Sequence, residues 1–143
     1  MVDILQNFVV NAGRSAVFRA ISTPEGLNNW WTLTCSGKAE EGAEYILGFG
    51  PGCDWRARAS RCAPDSEFEL ALTGADSDWQ DTRVRFILNE VLGVTEVSFQ
   101  HTGWPANNDH YRTSCFCWAM YLRLMKRFVE FGEVVPYDRR LEV

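Results

Sequence analysis

The stretch NNDHYRTSCFCWAMYLRLMKRFVEFG, residues 107–132, decides the fold. Asn107, Asn108 and Asp109 offer N-terminal caps, and the residues from Tyr111 to Phe131 contain neither Gly nor Pro, which predicts a helix ~31 Å long. Gly132 then ends it. Apolar residues recur at spacings of three and four along it: Cys115, Trp118, Leu122, Met125 and Val129. The long helix is therefore amphipathic, and another element must cover its apolar side.

The segment from Thr32 to Thr102 is expected to form the sheet that covers the apolar side of the helix. Its apolar residues alternate with polar ones, and turn signals interrupt it regularly. It predicts about six strands. The side expected to face the core carries Tyr45, Leu47, Phe49, Phe68, Leu70, Leu72, Val84, Phe86, Leu88, Val97, Phe99 and His101. The opposite side carries Glu44, Glu67, Glu69, Arg83, Arg85 and Glu96. One buried and one solvated side are typical of an antiparallel sheet.

The first 31 residues add a strand and two short helices. Ile4 to Val10 are rich in β-branched and aromatic residues, and helical spacing follows over about Ser15 to Ser22 and Pro24 to Trp31. The order strand, two helices, strands and long helix predicts an α+β helix-grip fold. In it, a curved antiparallel sheet of about seven strands wraps around the C-terminal helix.

Composition narrows the classes of function. The chain has 143 residues and a net charge of −5, which fits one domain over residues 1–143 and argues against nucleic-acid binding. No segment has the length and hydropathy of a membrane span, and no secretory leader is recognised, so we expect a cytoplasmic protein without membrane insertion. The five cysteines lack paired spacing, which favours reduced thiols over disulfides or a zinc site.

Four short motifs resemble the START-like SRPBCC superfamily, in the branch of the activator of the 90-kDa heat-shock-protein ATPase. They are TPEGL leading to WWT at residues 23–32, HTGWP at 101–105, CW with Leu122 and Leu124 in the long helix, and FGE at 131–133. The resemblance covers nearly the whole chain. One departure is Cys117, which stands where relatives usually have glycine before the helix tryptophan.

The resemblance implies a helix-grip fold whose interior often holds a hydrophobic small molecule, without implying one reaction. The leading hypothesis is non-covalent binding of an aromatic or lipid-like ligand between the sheet and the last helix, without a cofactor. The first alternative is a polyketide-cyclase or hydrolase-like enzyme. The second is co-chaperone-like partner binding in stress response, for which the candidate exposed surfaces are Trp79, Trp104 or the flank of the long helix. A homodimer and a chaperone partner are left open.

Aromatic residues are the main candidates for the ligand site, since ligand cavities are mostly apolar with a few polar groups. The alternative is that the same residues only pack the core. The candidates are Trp30, Trp31, Tyr45, Phe49, Phe68, Thr82, Phe86, Phe99, Trp118, Tyr121, Leu122 and Met125. The mouth is expected between the tryptophan pair, the Gly50 to Cys53 turn and residues 103–108.

His101 is the candidate catalytic residue, because it has inward parity and imidazole can act as a general base. The alternative is a buried histidine whose hydrogen bonds fix a strand end. His110 is assigned no role.

Metal and phosphate sites are not expected. The acidic segment around Asp76 to Asp81 lacks the glycine and glutamate that a calcium loop requires, and the glycines of residues 48–52 precede a strand rather than a helix. Cys115 and Cys117 would point in different directions on a helix and could not share a metal.

Overall fold

A seven-stranded antiparallel sheet curls around one long helix in the computed structural model, which describes residues 1–143. The strands lie in the order β1-β7-β6-β5-β4-β3-β2. The elements are β1 (Val2–Val10), α1 (Arg14–Ser22), α2 (Pro24–Asn28), β2 (Thr34–Ser36), β3 (Glu44–Gly48), β4 (Asp54–Ala63), β5 (Glu67–Gly74), β6 (Arg83–Val91), β7 (Val94–Trp104), α3 (Asp109–Phe131) and a 3₁₀ helix (Tyr137–Glu142). The predicted α+β helix-grip fold, with its strand number and two short helices, is confirmed.

Alternation along the strands places the core on one side of the sheet. In β3 and β4, Tyr45 is paired with Ala57 and Leu47 with Trp55, and all four side chains point to the same side. Tyr45, Leu47 and Ala57 are completely buried. The opposite side carries exposed charge, such as the ion pair of Arg56 with Glu44. The sheet therefore has one solvated side and one side covered by helices.

Helix α3 is capped at both ends as its sequence predicts. The Asn108 side chain accepts a hydrogen bond from the backbone N–H of Tyr111, and Gly132 takes the left-handed conformation with a φ of 70°. Lys126 Nζ donates to the carbonyl of Val9 at 2.6 Å, so the helix also satisfies part of the free edge of β1. No helix of the protein is long and apolar enough to cross a membrane.

Helix α2 is shorter than predicted, since it ends at Asn28 and the tryptophan pair lies in the turn that follows. Its N-terminus is capped by the Thr23 hydroxyl. Gly26 allows α2 to pack directly on α1, because a Cβ there would lie 2.2 Å from the carbonyl oxygen of Arg19. The indole N–H of Trp30 donates to the carbonyl of Ala20 at 2.9 Å. These contacts hold the turn after α2 against the core.

Candidate functional site

A pocket of about 260 Å³ lies between the N-terminal half of α3 and the end of the sheet where β3 and β5 finish and β4 and β6 begin. Its wall is aromatic and contains no charged side chain. The lining residues are Trp31, Phe49, Cys53, Trp55, Trp79, Ser114, Cys117, Trp118, Tyr121 and Tyr137. They come from α3, the turn after α2, the β3–β4 turn, β4, the β5–β6 loop and the chain beyond α3.

Three tryptophans that are almost completely buried form the inner wall of the pocket. The rings of Trp31 and Trp118 lie 5.1 Å apart, and Trp79 stacks on both, with centroid distances of 6.5 Å to Trp31 and 5.8 Å to Trp118. Offset stacking of this kind holds the rings in fixed orientations. The inner wall is therefore a rigid set of flat π surfaces.

Half-buried aromatic rings form the outer wall. Phe49 packs edge-on against Trp31 at 5.7 Å and against Trp55 at 5.2 Å, and Trp55 contacts Trp79 at 4.9 Å. Phe49 and Trp55 both keep partial solvent exposure. The outer wall is thus continuous with the inner wall and reaches the surface.

The polar groups of the pocket are uncharged. Burial raises the pKa of the Cys117 thiol and of the Tyr121 and Tyr137 phenols, so all three remain protonated near neutral pH. A protonated thiol is a poor nucleophile. The pocket therefore suits a neutral ligand, and the Cys117 thiol is not an activated nucleophile.

One buried hydrogen-bond donor in the pocket wall has no partner. Trp79 is 7% exposed, and its buried indole N–H has no partner in the protein. An unpaired buried donor costs about 1–3 kcal/mol. Because this nitrogen is buried from solvent, it lies in the wall and is not presented to a ligand in the open pocket. The indole N–H of Trp104 is also unpaired, but Trp104 does not line the pocket.

His101 lies behind the pocket wall and is completely buried. Its Nδ1 accepts a hydrogen bond from the indole N–H of Trp118 at 3.0 Å, which requires an unprotonated Nδ1. Its Nε2–H therefore donates to Thr82 Oγ1 at 2.8 Å, and the Thr82 hydroxyl donates to the carbonyl of Trp79. These hydrogen bonds connect the Trp118 side chain to the backbone of Trp79 through His101 and Thr82.

The same environment lowers the basicity of His101. Burial, with a smaller contribution from the charge of His110, lowers its pKa to about 3. Both ring nitrogens are engaged with protein groups, and neither faces the pocket. The structure consequently supports the alternative of a histidine that fixes the local structure, and it does not support a general base.

The structure brings four of the predicted ligand residues to the pocket: Trp31, Phe49, Trp118 and Tyr121. It places the other eight in the buried core, where they do not line the pocket. These are Trp30, Tyr45, Phe68, Thr82, Phe86, Phe99, Leu122 and Met125. Of the expected mouth, Trp31 and Cys53 line the pocket, whereas no residue of 103–108 does.

Five lining residues were not predicted from the sequence: Trp55, Trp79, Ser114, Cys117 and Tyr137. A signal existed for two of them, since Ser114 and Cys117 precede Tyr121 at helical spacing. The expectation that Trp79 and Trp104 are exposed partner-binding residues is wrong, because both are buried. His110 is half-buried and bonds Asp78 at 2.8 Å.

Comparison with known proteins agrees with this architecture. Residues 11–130 match the family described as Activator of Hsp90 ATPase homolog 1-like protein. The chain belongs to this family. No match to a curated protein sequence was found.

Solved structures share the fold of this activator-homologue family member along nearly its whole length. A structure of the Aha1 dimer from Colwellia psychrerythraea is 26% identical, covers 93% of this chain and 99% of its own, and has a TM-score of 0.83. A Staphylococcus saprophyticus protein is 18% identical over 94% of this chain and 96% of its own, with a TM-score of 0.79. CalU16 from Micromonospora echinospora is 20% identical, covers 98% and 84%, and has a TM-score of 0.72.

Proposed function

We propose that this protein binds a small, uncharged aromatic molecule non-covalently in the pocket between α3 and the sheet. The observation that carries the proposal is the wall of stacked tryptophans around Trp118, which includes no charged group. A flat ligand would gain both apolar burial and ring stacking, the latter worth ~0.5–1.5 kcal/mol per aromatic pair.

The size of the pocket favours an aromatic ligand over a lipid-like one. Its volume of about 260 Å³ is below the range of ~300–1,000 Å³ that holds drug-sized ligands. One or two fused rings match this space, whereas a long acyl chain would have to leave it.

A titration with 1-acetonaphthone, an uncharged naphthyl ketone, tests the proposal. Isothermal titration calorimetry should give a Kd on the order of 100 μM, consistent with the usual binding energy per ligand atom. Cys117→Trp places an indole in the pocket and should weaken binding by at least ~10-fold, or ~1.4 kcal/mol. Phe116→Trp is the matched control, because Phe116 is 78% exposed on the other side of the same helix.

Equal affinity of the folded Cys117→Trp variant and the wild type would contradict the pocket assignment. Leu122→Trp is not a suitable block of the pocket, since Leu122 is buried in the core. Near-ultraviolet circular dichroism of both tryptophan variants should first show that each is folded.

The homodimer stays a prediction for this chain. The related Colwellia protein is a dimer, and Phe116 here leaves a large apolar ring exposed on α3. Sedimentation velocity of the wild type should give a dimer, and Phe116→Ser should shift it toward monomer if this ring lies in the contact. A wild-type protein that sediments as a monomer at high concentration would contradict the predicted homodimer.

A further inference from the structure

The last eleven residues, 133–143, which we call the C-terminal strap, complete one wall of the pocket. Tyr137 lines the pocket, and its hydroxyl donates a hydrogen bond to the carbonyl of Phe49 at 3.1 Å. The strap is therefore attached to the β3–β4 turn, which contributes both Phe49 and Cys53 to the same wall. It lies outside residues 11–130, which match the family.

Arg140 attaches the strap to a second wall. Its side chain is nearly buried, and its guanidinium donates to the carbonyls of Asn28 at 2.7 Å, Thr32 at 3.2 Å and Val135 at 3.1 Å. Asn28 and Thr32 flank the turn that holds Trp31. The guanidinium also lies 5.2 Å from the centroid of the Tyr137 ring.

Few other side chains could take the place of Arg140. It forms no ion pair with a carboxylate, and burial lowers its pKa, so carbonyl dipoles and the Tyr137 ring are what compensate its desolvation. The planar guanidinium donates to three carbonyl oxygens at once. A lysine has a single ammonium group at the end of a flexible side chain and lacks this fixed donor geometry. The contact therefore suits arginine better than lysine.

We propose that Tyr137 is a ligand-contacting, specificity-determining residue and that Arg140 is its positioning residue. Arg140 holds the strap against the turn after α2, and the strap holds Tyr137 over the pocket. Loss of this anchor opens the pocket and removes one aromatic surface from the ligand. The role of Tyr137 rests on the proposed function, whereas the anchoring by Arg140 can be measured without any ligand.

Alkylation of the cysteines with iodoacetamide, followed residue by residue by mass spectrometry, tests the anchor. Cys53 and Cys117 line the pocket and report its opening, and the thiols of Cys35 and Cys62, which do not line it, are internal controls. Arg140→Ala should raise the pocket alkylation rates by about fivefold or more, since hydrogen bonds to a charged group are lost. Arg139→Ala is the matched control on the exposed side of the strap.

Arg140→Lys should give rates between those of the wild type and Arg140→Ala. Unchanged rates at Cys53 and Cys117 in Arg140→Ala would overturn the proposal. Equal acceleration at all cysteines would also overturn it, because that result means general destabilisation rather than opening of the pocket.

Tyr137→Ala then tests the ligand contact, and it should raise the dissociation rate of 1-acetonaphthone by about fivefold, as loss of one aromatic contact implies. An unchanged rate would overturn the role of Tyr137. Selective alkylation without any binding of the ketone to the wild type would leave the anchor intact and count against the proposed function instead.

Discussion

The buried imidazole of His101 makes the protein lose stability in mild acid. Above pH ~6.5 the imidazole is neutral in both the folded and the unfolded chain, so it contributes no pH dependence. Below that pH the unfolded chain binds a proton, while the folded chain does not until the pH nears its own pKa of about 3. The unfolded state is therefore favoured as the pH falls from ~6.5 towards 3, by ~1.4 kcal/mol per unit.

The free energy of unfolding that is lost at pH 5 is set by the pKa of His101 in the unfolded chain. Because pH 5 lies well above the folded pKa of about 3, the folded protein keeps the imidazole neutral there. With an unfolded pKa of ~6.5, the free energy of unfolding should fall by about 2 kcal/mol between pH 8 and pH 5. This is a large share of the stability of an ordinary domain.

Urea unfolding at pH 8 and pH 5 measures the effect, with His101→Gln as the reference variant. Glutamine can still donate to Thr82 but takes up no proton, so the wild type should lose about 2 kcal/mol more than this variant. His110→Gln leaves His101 in place, and the loss should persist there. The reasoning is refuted if wild type and His101→Gln lose equal stability within ~0.5 kcal/mol, the usual additivity error.

Three further substitutions test single contacts. Trp79→Phe removes part of one aromatic surface of the pocket, so the affinity for 1-acetonaphthone should fall by ~2- to 10-fold in calorimetry. Gly26→Ala forces a Cβ against the Arg19 carbonyl and should lower the free energy of unfolding by ~1–3 kcal/mol in urea. Asn108→Ala removes the cap of α3 and should cost ~1 kcal/mol in the same assay. Full stability of either of the last two variants, or an unchanged affinity of the first, would contradict the corresponding contact.

The fold could be predicted because its signals are local and repeated. Helical spacing between Asn108 and Gly132 and alternation along the strands each involve many residues, and one helix covering one sheet leaves few arrangements. The end of α2 was misplaced because the tryptophan pair continues the apolar pattern into a turn. There, tertiary contacts such as the bond from Trp30 to Ala20 decide the backbone.

The site was only partly predictable, because pocket residues and core residues on the strands point to the same side of the sheet and follow the same sequence alternation. Phe86 and Phe99 pack against each other at 5.2 Å in the core, whereas Phe49, with the same pattern, lies beyond its strand at the pocket. On β4, Trp55 points to the same side of the sheet as Ala57 and Ala59. Because these two residues are small, the sequence shows no clear apolar alternation there, and Trp55 was not predicted to point inward. Tyr137 reaches the pocket only through the path of the strap, which no periodicity encodes.

The indole N–H signals of the six tryptophans in a ¹H–¹⁵N correlation spectrum test the central claim most directly. Addition of 1-acetonaphthone should shift the signals of the four pocket tryptophans, Trp31, Trp55, Trp79 and Trp118. Trp30 and Trp104 lie outside the pocket wall and should move least. Shifts that are equal at all six indoles, or absent from all six at saturating ketone, would contradict an aromatic ligand site in this pocket.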